Sequence, residues 1–485
     1  MRKVPVVASK ELGFMPAVAL AAKIRERQVS VLDVTEAILA RIEASQSALN
    51  AFITICRPEA LAAARQADAA LARGEPVGAL HGVPVSVKDI INTAGIRTTW
   101  GSRLMASNVP DTDAVAVARL RAAGAIIIGK TATSEFAHKL MTDAPLFGTT
   151  RNPWDTRFTP GGSSGGSAVA VAAGLGPLSL STDAGASTRL PAACTGIVGL
   201  KPTLGVVPHS QAPDAFNNFI HLGVMARTVR DAALMLDVLA GPDPSDPHSL
   251  RVPPPAALAT LDADAHASLA GLRIAWCPLI GNTLLDAEVR RACEAGVELL
   301  RSRGCHVGVI DTPVESAEPA WRVLQQSNWA ARFFARIDEL APQLDASFVD
   351  GIRVGGAYTG QQLLQATYKR TQHFRAVQAW FDSYDFILTP TASRPPLLAE
   401  HRAFDPIEIG GVDAGDMRQS WVPYLSLFDL TGHPAVSIPC GWTTNKLPIG
   451  LQIVGPWYGD AQVLRLAAVL EAACPWSERI PPHAP

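Results

Sequence analysis

Short apolar runs alternate with longer amphipathic segments along most of the chain, and this alternation narrows the folds that the chain can adopt. The apolar runs include AIIIGK (125–130) and AVSIPC (435–440), while 31–45 and 286–303 are amphipathic. Runs of that length predict strands, and apolar residues that recur with a helical period predict helices. Apolar strands that alternate with amphipathic helices predict an α/β fold, a sheet covered by helices on both faces.

The domain organisation follows from length and composition. The chain has 485 residues, a length at which α/β enzymes fold either as one domain or as two or three. Residues 241–270 are rich in Pro, Asp and Ala and are predicted to form a surface excursion. The sequence contains no internal repeat. We predict a single domain over residues 1–485, with 241–270 as a seam within it.

The charge balance disfavours several classes of partner. Lys and Arg number 42 and Asp and Glu number 44, so the net charge of −2 favours neither nucleic acid nor an anionic membrane surface. The longest apolar run, 168–180, is short for a membrane span and is interrupted by Gly174, Gly176 and Pro177. We expect a small-molecule substrate, no nucleic-acid partner and no membrane partner. Homodimer formation stays open.

The cysteine pattern indicates the compartment. Seven cysteines are scattered over the chain without a C-x-x-C pair, which favours reduced thiols over disulfide bonds or a zinc site. Residues 1–23 are basic at the start, but Ser9, Lys10 and Glu11 interrupt the apolar run that a signal peptide requires. These features predict a cytoplasmic protein.

A segment rich in glycine and serine, 159–192, is the first candidate for chemistry. Small residues let the backbone approach a ligand closely, and a helix predicted from Ser167 would add free N–H groups. The segment lacks the Gly-Lys-Ser/Thr ending of a P-loop, which disfavours nucleotide binding. Its GGSSG (161–165) matches the G-x-S-x-G nucleophile elbow, but 152–160 holds two prolines and no apolar run where an elbow needs a strand. We interpret that match as accidental.

Ser187 is the second candidate, because Ala184, Gly185 and Ala186 precede it directly. Small residues before a serine let successive backbone N–H groups converge on one point, which is the geometry that an oxyanion hole requires. Serines are common in loops of this kind, so Ser187 without a catalytic partner would be an ordinary loop serine.

Lys88 is the partner that the sequence offers. It ends the apolar strand predicted over 82–89, where a solvated or salt-bridged lysine beside Asp89 is the ordinary interpretation. A buried neutral lysine is also an effective general base. From a reference pKa of about 10.4, lowering the pKa by about 3 requires an environment that disfavours the charged form by about 4 kcal/mol, which burial supplies.

Three motifs together resemble the amidase signature family. They are HGVPVSVKDIINTAGIRTTWGS (81–102), TRNPWDTRFTPGGSSGG (150–166) and the segment from GGSSGGSAVAVAAG to GIVGLKPT (161–203). The resemblance is strongest over about 80–205 and thinner toward both ends. It implies a large mixed central β-sheet and a Ser–cis-Ser–Lys triad. Carried over by motif, the triad is Lys88, Ser163 and Ser187, with a cis peptide bond expected at Gly162 or a neighbour.

The resemblance also implies a mechanism, in which Ser187 attacks the substrate carbonyl and Ser163 passes its proton to neutral Lys88. Ala184, Gly185, Ala186 and Ser187 would form the oxyanion hole through their backbone N–H groups. No metal or organic cofactor is required. Asp183 and Arg189 are expected to be structural, with Asp183 bonding loop amides and Arg189 fixing the turn.

One departure from the family pattern lies at the nucleophile. This chain has Ala186 where a second glycine is usual and Thr188 where an aliphatic residue is usual. Alanine keeps its N–H donor but resists a positive φ. We therefore expect an intact oxyanion hole with a slightly narrower floor.

The substrate is left open as a small acyl or aryl amide. Apolar and aromatic pocket candidates lie in 138–147, 321–334 and 418–428, although such stripes are more often core, so no substrate residue is assigned. One alternative is the glutaminase subunit of a tRNA-dependent amidotransferase, which the departure of 204–226 from a Ser-Leu-Asp-Gln-Ile-Gly-Pro pattern disfavours. A more remote alternative is an α/β-hydrolase-type carboxylesterase. It needs a histidine, and none of His221, His306, His373 and His433 has a recognisable setting.

Overall fold

A single large sheet forms the centre of the molecule. The computed structural model describes residues 6–251, 253–263, 268–310, 313–403 and 405–485. The strands are, in chain order, β1 (Phe52–Ile55), β2 (Pro84–Lys88), β3 (Ile126–Thr131), β4 (Asp143–Ala144), β5 (Gly148–Thr149), β6 (Leu178–Asp183), β7 (Val198–Lys201), β8 (His221–Ala226), β9 (Arg273–Trp276), β10 (His306–Val309), β11 (Phe386–Pro390), β12 (Ile407–Ile409), β13 (Val412–Gly415), β14 (Ala435–Trp442) and β15 (Pro448–Val454).

The order of these strands makes the sheet mixed. Its 11 strands follow the order β1-β3-β2-β6-β8-β7-β14-β15-β11-β9-β10. β2 is parallel to both of its neighbours, β3 and β6, whereas the strands from β6 to β11 pair antiparallel. Strands from both sides of residues 241–270 therefore join the same sheet, and the predicted mixed α/β architecture is confirmed.

Helices surround the sheet. They are α1 (Val6–Phe14), α2 (Ala17–Arg25), α3 (Val31–Leu49), α4 (Arg57–Ala72), α5 (Val115–Ala122), α6 (Gly165–Ala172), α7 (Arg189–Thr195), α8 (Val229–Leu239), α9 (Ala257–Ala263), α10 (Ala287–Ser302), α11 (Glu318–Phe333), α12 (Ile337–Leu340), α13 (Ala346–Gly356), α14 (Gly360–Ser383), α15 (Met417–Trp421), α16 (Ser426–Leu430) and α17 (Asp460–Ala473).

The alternation of side chains along a strand assigns these helices to opposite faces. Leu180 of β6 joins one core cluster together with Leu236 of α8. Met225 of β8 joins another cluster on the opposite face, together with Val171 of α6. Since α6 and α8 cover opposite faces of the same strands, the prediction of helices on both sides is confirmed.

Several element boundaries differ from the sequence-based ones. The helix predicted over 31–45 extends to Leu49, and Ser30 caps its start, since Asp33 N donates to Ser30 Oγ at 3.0 Å. The helix predicted from Ser167 begins at Gly165. Strands β6, β7 and β8 were not predicted. Residues 252 and 264–267 of the predicted excursion lie outside the described residues.

Two general features complete the fold. Within the described residues, every helix is too short or too polar to cross a membrane. All seven cysteines are free thiols, and burial raises the pKa of the Cys56 thiol to about 12.

Candidate active site

Lys88 ends β2 with its side chain in the fully buried interior. Its Nζ lies 2.7 Å from Ser163 Oγ and 2.8 Å from Thr182 Oγ1. Ser86, two residues earlier on the same face of β2, donates to Ser179 Oγ at 2.9 Å. A strand that alternates valine on one face with serine and lysine on the other thus carries the amine to a cluster of hydroxyl groups.

Burial lowers the pKa of Lys88 to about 7, and the negative charge of Asp183 opposes that shift without cancelling it. Among the described residues, no carboxylate lies within ion-pair distance of the Lys88 amine. A large fraction of Lys88 is therefore neutral near pH 7, which is the state that a general base needs.

Ser163 lies in the loop before α6, and the loop is held by contacts that require small residues. The peptide bond between Gly162 and Ser163 is cis, at the position that the family resemblance implies. A Cβ on Gly162 would lie 2.6 Å from the carbonyl oxygen of Met141, so only glycine fits there. Thr142 Oγ1 donates to Gly161 O at 2.8 Å and accepts from Gly165 N at 2.9 Å, which ties both sides of Ser163 to one hydroxyl.

Ser187 lies in the loop between β6 and α7, and Asp183 organises that loop. One carboxylate oxygen of Asp183 accepts from Ser187 N at 2.8 Å and from Gly185 N at 3.3 Å, and the other accepts from Thr188 N at 3.1 Å. Arg189 Nε donates to the same carboxylate at 2.9 Å. Burial would raise the pKa of Asp183, but the charge and hydrogen bonds of Arg189 hold it well below its ordinary value. The structural roles predicted for Asp183 and Arg189 are confirmed.

These contacts separate the four predicted oxyanion donors into two pairs. The N–H groups of Gly185 and Ser187 point toward Asp183. The N–H groups of Ala184 and Ala186 bond to no acceptor in the described part of the chain. Two donors are therefore free for a ligand, and two are shared with a carboxylate.

Two residues from distant helices bind the back of this loop. Trp321 Nε1 of α11 donates to Ala184 O at 2.5 Å, and Arg418 Nη2 of α15 donates to Gly185 O at 3.3 Å. In a trans peptide the carbonyl and the following N–H point in opposite directions. The bond from Arg418 to the carbonyl of Gly185 therefore directs the N–H of Ala186 away from Arg418.

The backing residues also support each other. The guanidinium carbon of Arg418 lies 3.3 Å from the ring centroid of Trp321, and Arg418 Nε lies 2.7 Å from Glu318 Oε1. A Cβ on Gly185 would lie 2.7 Å from Trp321 Nε1, so no side chain fits at that position. The absence of a side chain on Gly185 thus leaves space for Trp321 and Arg418, which bind the carbonyls of Ala184 and Gly185.

The departures at positions 186 and 188 are accommodated locally. Ala186 does not adopt a positive φ, so alanine meets no conformational conflict there. Thr188 Oγ1 lies 2.8 Å from Ser181 Oγ of β6. The neighbouring strand β8 has Gly223 opposite Ser181, which leaves space for the threonine side chain.

Both serines line one cavity of about 380 Å³, together with Thr182 and Ala184. Ser187 Oγ makes no hydrogen bond to any described residue, including Ser163. The remaining wall is largely apolar and aromatic, with polar side chains from α11 and from residues 209–218. It includes Ile90, Ile91, Trp100, Phe136, Phe219, Ile220, Leu222, Gln325, Asn328, Trp329 and Arg332. The cavity therefore offers a hydroxyl, free N–H donors and an apolar surface to the same ligand.

Of the three predicted pocket segments, only 321–334 contributes to this wall. The segments 138–147 and 418–428 instead place Leu140, Met141, Tyr424 and Leu425 in the core, as their alternative interpretation expects.

The sequence analysis missed Thr182 and the wall segment 209–222. Thr182 went unnoticed because β6 was not predicted. Residues 209–222 carry little periodicity, and their place on the wall depends on long-range bonds: Arg370 of α14 donates to the carbonyl oxygens of Asn217 and Asn218 at 2.9 and 3.0 Å. In the sequence, the adjacent apolar residues Phe219 and Ile220 were the feature that could have indicated this wall segment.

His209 lines the cavity, and the four histidines weighed as esterase bases do not. Burial lowers the pKa of His209, and its Nδ1 has no partner among the described residues. His221 and His433 are buried elsewhere, where His221 Nδ1 lies 3.0 Å from Pro202 O and His433 stacks on Phe381. No histidine of the described chain is hydrogen-bonded to Ser163 or Ser187.

Comparisons with known proteins identify similar sequences and similar folds. The sequence profile of the Amidase family matches residues 33–464. The chain is 33% identical to an acylamidase of Rhodococcus erythropolis, with 98% of each chain covered. It is 35% identical to a glutamyl-tRNA(Gln) amidotransferase subunit of Alkaliphilus metalliredigens, covering 92% of this chain and 94% of that one. The crystal structure of a bacterial aryl acylamidase of the amidase signature (AS) family superposes with a TM-score of 0.88 at 28% identity, covering 96% and 97% of the two chains.

Proposed function

The chain belongs to the amidase signature family of amidohydrolases, and from that premise we propose that it hydrolyses a small acyl or aryl amide through an acyl-enzyme on Ser187. The observation that carries the proposal is the contact of Lys88 with Ser163 at 2.7 Å, on the wall of the cavity that also holds Ser187. A nucleophile, a bridging hydroxyl and a base of lowered pKa then share one site.

In the proposed first step, Ser187 Oγ attacks the amide carbonyl and forms a new C–O bond. Its proton moves to Ser163 Oγ while the Ser163 proton moves to neutral Lys88, so the relay ends with a lysinium. Ser187 Oγ has no hydrogen-bond partner among the described residues and is free to turn toward Ser163. Thr182 Oγ1, 2.8 Å from Nζ, keeps the amine oriented during the transfer.

The negative charge of the tetrahedral intermediate falls on the carbonyl oxygen. We assign its stabilisation first to the N–H groups of Ala184 and Ala186, which no acceptor of the described chain occupies. Those of Gly185 and Ser187 contribute less because they are shared with Asp183. On the opposite side, the bond from Trp321 to Ala184 O polarises the peptide group that carries the Gly185 N–H. The bond from Arg418 to Gly185 O polarises the peptide group that carries the Ala186 N–H and strengthens that free donor.

The intermediate collapses when the C–N bond breaks and the lysinium returns its proton, through Ser163, to the departing nitrogen. Water then attacks the acyl-enzyme and gives a proton through Ser163 to Lys88. The C–O bond to Ser187 breaks as the lysinium returns that proton through Ser163 to Ser187 Oγ, which releases the acid and restores neutral Lys88. These reaction steps use water together with side chains and backbone groups of the chain, and they need no metal or organic cofactor.

The glutaminase alternative is retained because one relative, at 35% identity, is a glutamyl-tRNA(Gln) amidotransferase subunit. It predicts activity on glutamine that depends on a second protein. The carboxylesterase alternative is set aside, since no strand precedes Ser163 directly: residues 152–160 contain only an isolated bridge at Phe158.

The proposal extends to the setting of the reaction. The net charge of −2 and the seven free cysteines support action in the cytoplasm on a small molecule, without a nucleic-acid or membrane partner. Whether the enzyme acts as a homodimer is decided by its mass in solution.

An activity screen combined with active-site labelling tests the proposal. The purified chain is incubated with anilides, aliphatic amides, glutamine and 4-nitrophenyl esters, and separately with a fluorophosphonate. We expect amide hydrolysis by the chain alone, and a label on Ser187 that Ser187→Ala removes. A label on Ser163 in the intact protein would contradict the assignment of the nucleophile. Silence on every amide except glutamine, and only with an added partner protein, would move the chain to the amidotransferase class.

A further inference from the structure

One side of α11 faces the catalytic cavity with polar side chains that have no hydrogen-bond partner in the described part of the chain. Gln325, Asn328, Trp329 and Arg332 all line the cavity and follow the spacing i, i+3, i+4 and i+7, which places them on one helical face. Gln325 Oε1 is buried and has no hydrogen-bond partner in the described part of the chain. Neither Asn328 nor Arg332 bonds to any polar group of the described residues. A buried polar atom normally has a partner, so the unpartnered Gln325 Oε1 indicates a ligand. Asn328 and Arg332 are exposed at the cavity wall and present their polar groups to whatever occupies the cavity.

Arg332 carries the charge of this stripe. Its guanidinium carbon lies over three aromatic rings, those of Trp100, Phe136 and Phe333, at 5.4, 5.7 and 5.1 Å. No carboxylate of the described chain forms an ion pair with it. A cation supported by aromatic rings keeps its N–H fork available, and that fork matches the two oxygens of a carboxylate.

The one carboxylate that lines the cavity among the described residues is engaged elsewhere. Asp214 accepts from Asn217 Nδ2 at 2.8 Å and from Phe216 N at 3.1 Å. The side-chain hydrogen bond from Asn217, followed by these backbone bonds, lowers the pKa of Asp214 and keeps it anionic. An anionic ligand is therefore repelled from the Asp214 side and attracted to the Arg332 side.

The helix relates this cation to the reacting carbonyl. Trp321, on the same face as Gln325, binds the carbonyl of Ala184 beside the nucleophile. From Trp321 to Arg332 the helix rises by roughly 16 Å, at about 1.5 Å per residue. Arginine side chains lean back toward the helix N-terminus, which reduces the separation from the oxyanion loop to on the order of 10 Å.

We propose that the substrate is an amide that also carries a carboxylate, which Arg332 binds at the end of the cavity remote from Ser187, with Asn328 as a second donor. Gln325 Oε1 accepts a hydrogen bond from an N–H of the chain between the two groups. This inference rests on the proposed amidase function and adds the class of its substrate.

Matched pairs of substrates test the inference on the purified full chain. In one series the carboxylate is on the acyl half: 4-nitroanilides of succinic, glutaric and adipic acid, each beside its uncharged methyl ester. In the other it is on the amine half: N-butanoyl ω-amino acids beside their methyl esters, followed by release of butanoate. We expect the charged member to exceed its neutral partner by about tenfold or more in kcat/KM in one of the two series, because a charge-assisted contact is lost in the ester.

The variants assign that preference to Arg332. Arg332→Met should lower kcat/KM for the charged member by about 10- to 100-fold and leave the neutral member within about twofold, a result that misfolding would not produce. Arg332→Lys should keep part of the preference. Arg336→Met is the matched control, because Arg336 is exposed on the next turn and pairs with Glu339. It should change neither substrate.

The outcomes distinguish a failure of this inference from a failure of the proposed amidase function. Equal kcat/KM for charged and neutral members in both series, or a proportional loss of both in Arg332→Met, would overturn the carboxylate assignment while leaving the amidase intact. Absence of any amide cleavage, together with an unlabelled Ser187, would instead remove the proposed function itself.

Discussion

Two buried lysines on adjacent strands, Lys88 of β2 and Lys130 of β3, both have a lowered pKa but differ in the groups that surround them. Burial lowers the pKa of Lys88 to about 7 and that of Lys130 to about 8, and in both cases a nearby aspartate opposes the shift. Lys130 pairs in register with Val87, so its side chain leaves the sheet on the face opposite to Lys88. The two amines therefore occupy different layers of the molecule.

The partners of each amine explain their different roles. Lys130 Nζ donates to the carbonyl of Ile91 and to the hydroxyls of Thr93 and Thr98, the latter two at 2.8 and 2.9 Å, and it does not line the catalytic cavity. Lys88 instead contacts Ser163, whose hydroxyl lines the cavity. Lys201, with a pKa also lowered to about 7 by burial, donates to two backbone carbonyls. A lowered pKa therefore does not by itself identify a base; its position beside a reacting group does.

The largest expected effect comes from exchanging each lysine for methionine, which is similar in length and permanently neutral. Lys88→Met should lower kcat/KM for an amide by about 10³-fold or more, since the only proton acceptor of the relay is lost. Lys130→Met should keep activity per folded molecule within about tenfold, and its cost should appear as a stability loss of about 1–3 kcal/mol, because its acceptors lose their donor. Steady-state kinetics and urea unfolding measure the two effects. An active Lys88→Met or an inactive but stable Lys130→Met would reverse the comparison.

A smaller effect is expected from the residues behind the oxyanion loop. Arg418→Met should lower kcat by about 10- to 100-fold with little change in KM, because Arg418 acts on the free Ala186 N–H, which is used mainly in the transition state. Trp321→Phe should lower kcat less, because Trp321 acts on the Gly185 N–H that is shared with Asp183. Trp380→Phe is the control, since Trp380 lies on α14 away from the cavity. A proportional rise in KM with kcat unchanged would show that the loop contacts serve ground-state binding instead.

Stability should respond to pH through both lysines. In the unfolded chain a lysine stays protonated to a pKa of about 10.4, whereas folded Lys88 and Lys130 release the proton near 7 and 8. The unfolded state therefore binds more protons from about pH 7 to about pH 10.4, and stability rises with pH in that window. Each methionine variant should reduce the slope of the free energy of unfolding against pH by roughly 1 kcal/mol per pH unit. Urea titrations at several pH values test this, and an unchanged slope in both variants would mean that neither amine is neutral when folded.

The smallest effect is expected at His209, although it is the histidine that lines the cavity. Because its ring bonds to neither serine, His209→Gln should leave kcat/KM within about threefold. Replacement of His221 or His433, which lie away from the cavity, provides the comparison for general packing effects. A loss in His209→Gln that equals the loss in Lys88→Met would replace the lysine by histidine as the base.

The sequence predicted those parts of the fold that depend on local pattern. Strong periodicity located α3, α10 and the strands β2, β3 and β14, and the spacing of three motifs led to Lys88 and Ser163, which the structure places in contact. Strands β6, β7 and β8 escaped prediction because β6 is rich in Ser and Thr and because β7 and β8 each contain a glycine, so burial by α6 and α8 decides their conformation.

The walls of the site were harder to predict because distant residues place them. Trp321 and Arg418 reach the nucleophile loop from positions 137 and 233 residues away from the carbonyls that they bind. In the same way, Arg370 fixes the segment around Asn218 from 152 residues away. Local pattern carries no information on such contacts. A buried tryptophan or arginine looks the same in the sequence whether it faces the core or a catalytic loop.

The pH dependence of kcat/KM for an uncharged amide, measured in parallel on wild type, Lys88→Met and Lys130→Met, tests the central claim most directly. If neutral Lys88 is the base, the wild-type rate should rise with pH through an apparent pKa near 7, since the deprotonated amine is the active form. The same inflection should persist in Lys130→Met and vanish from the residual rate of Lys88→Met. An inflection that survives in Lys88→Met, or that is lost on replacing His209 instead, would contradict the assignment of Lys88 as the base.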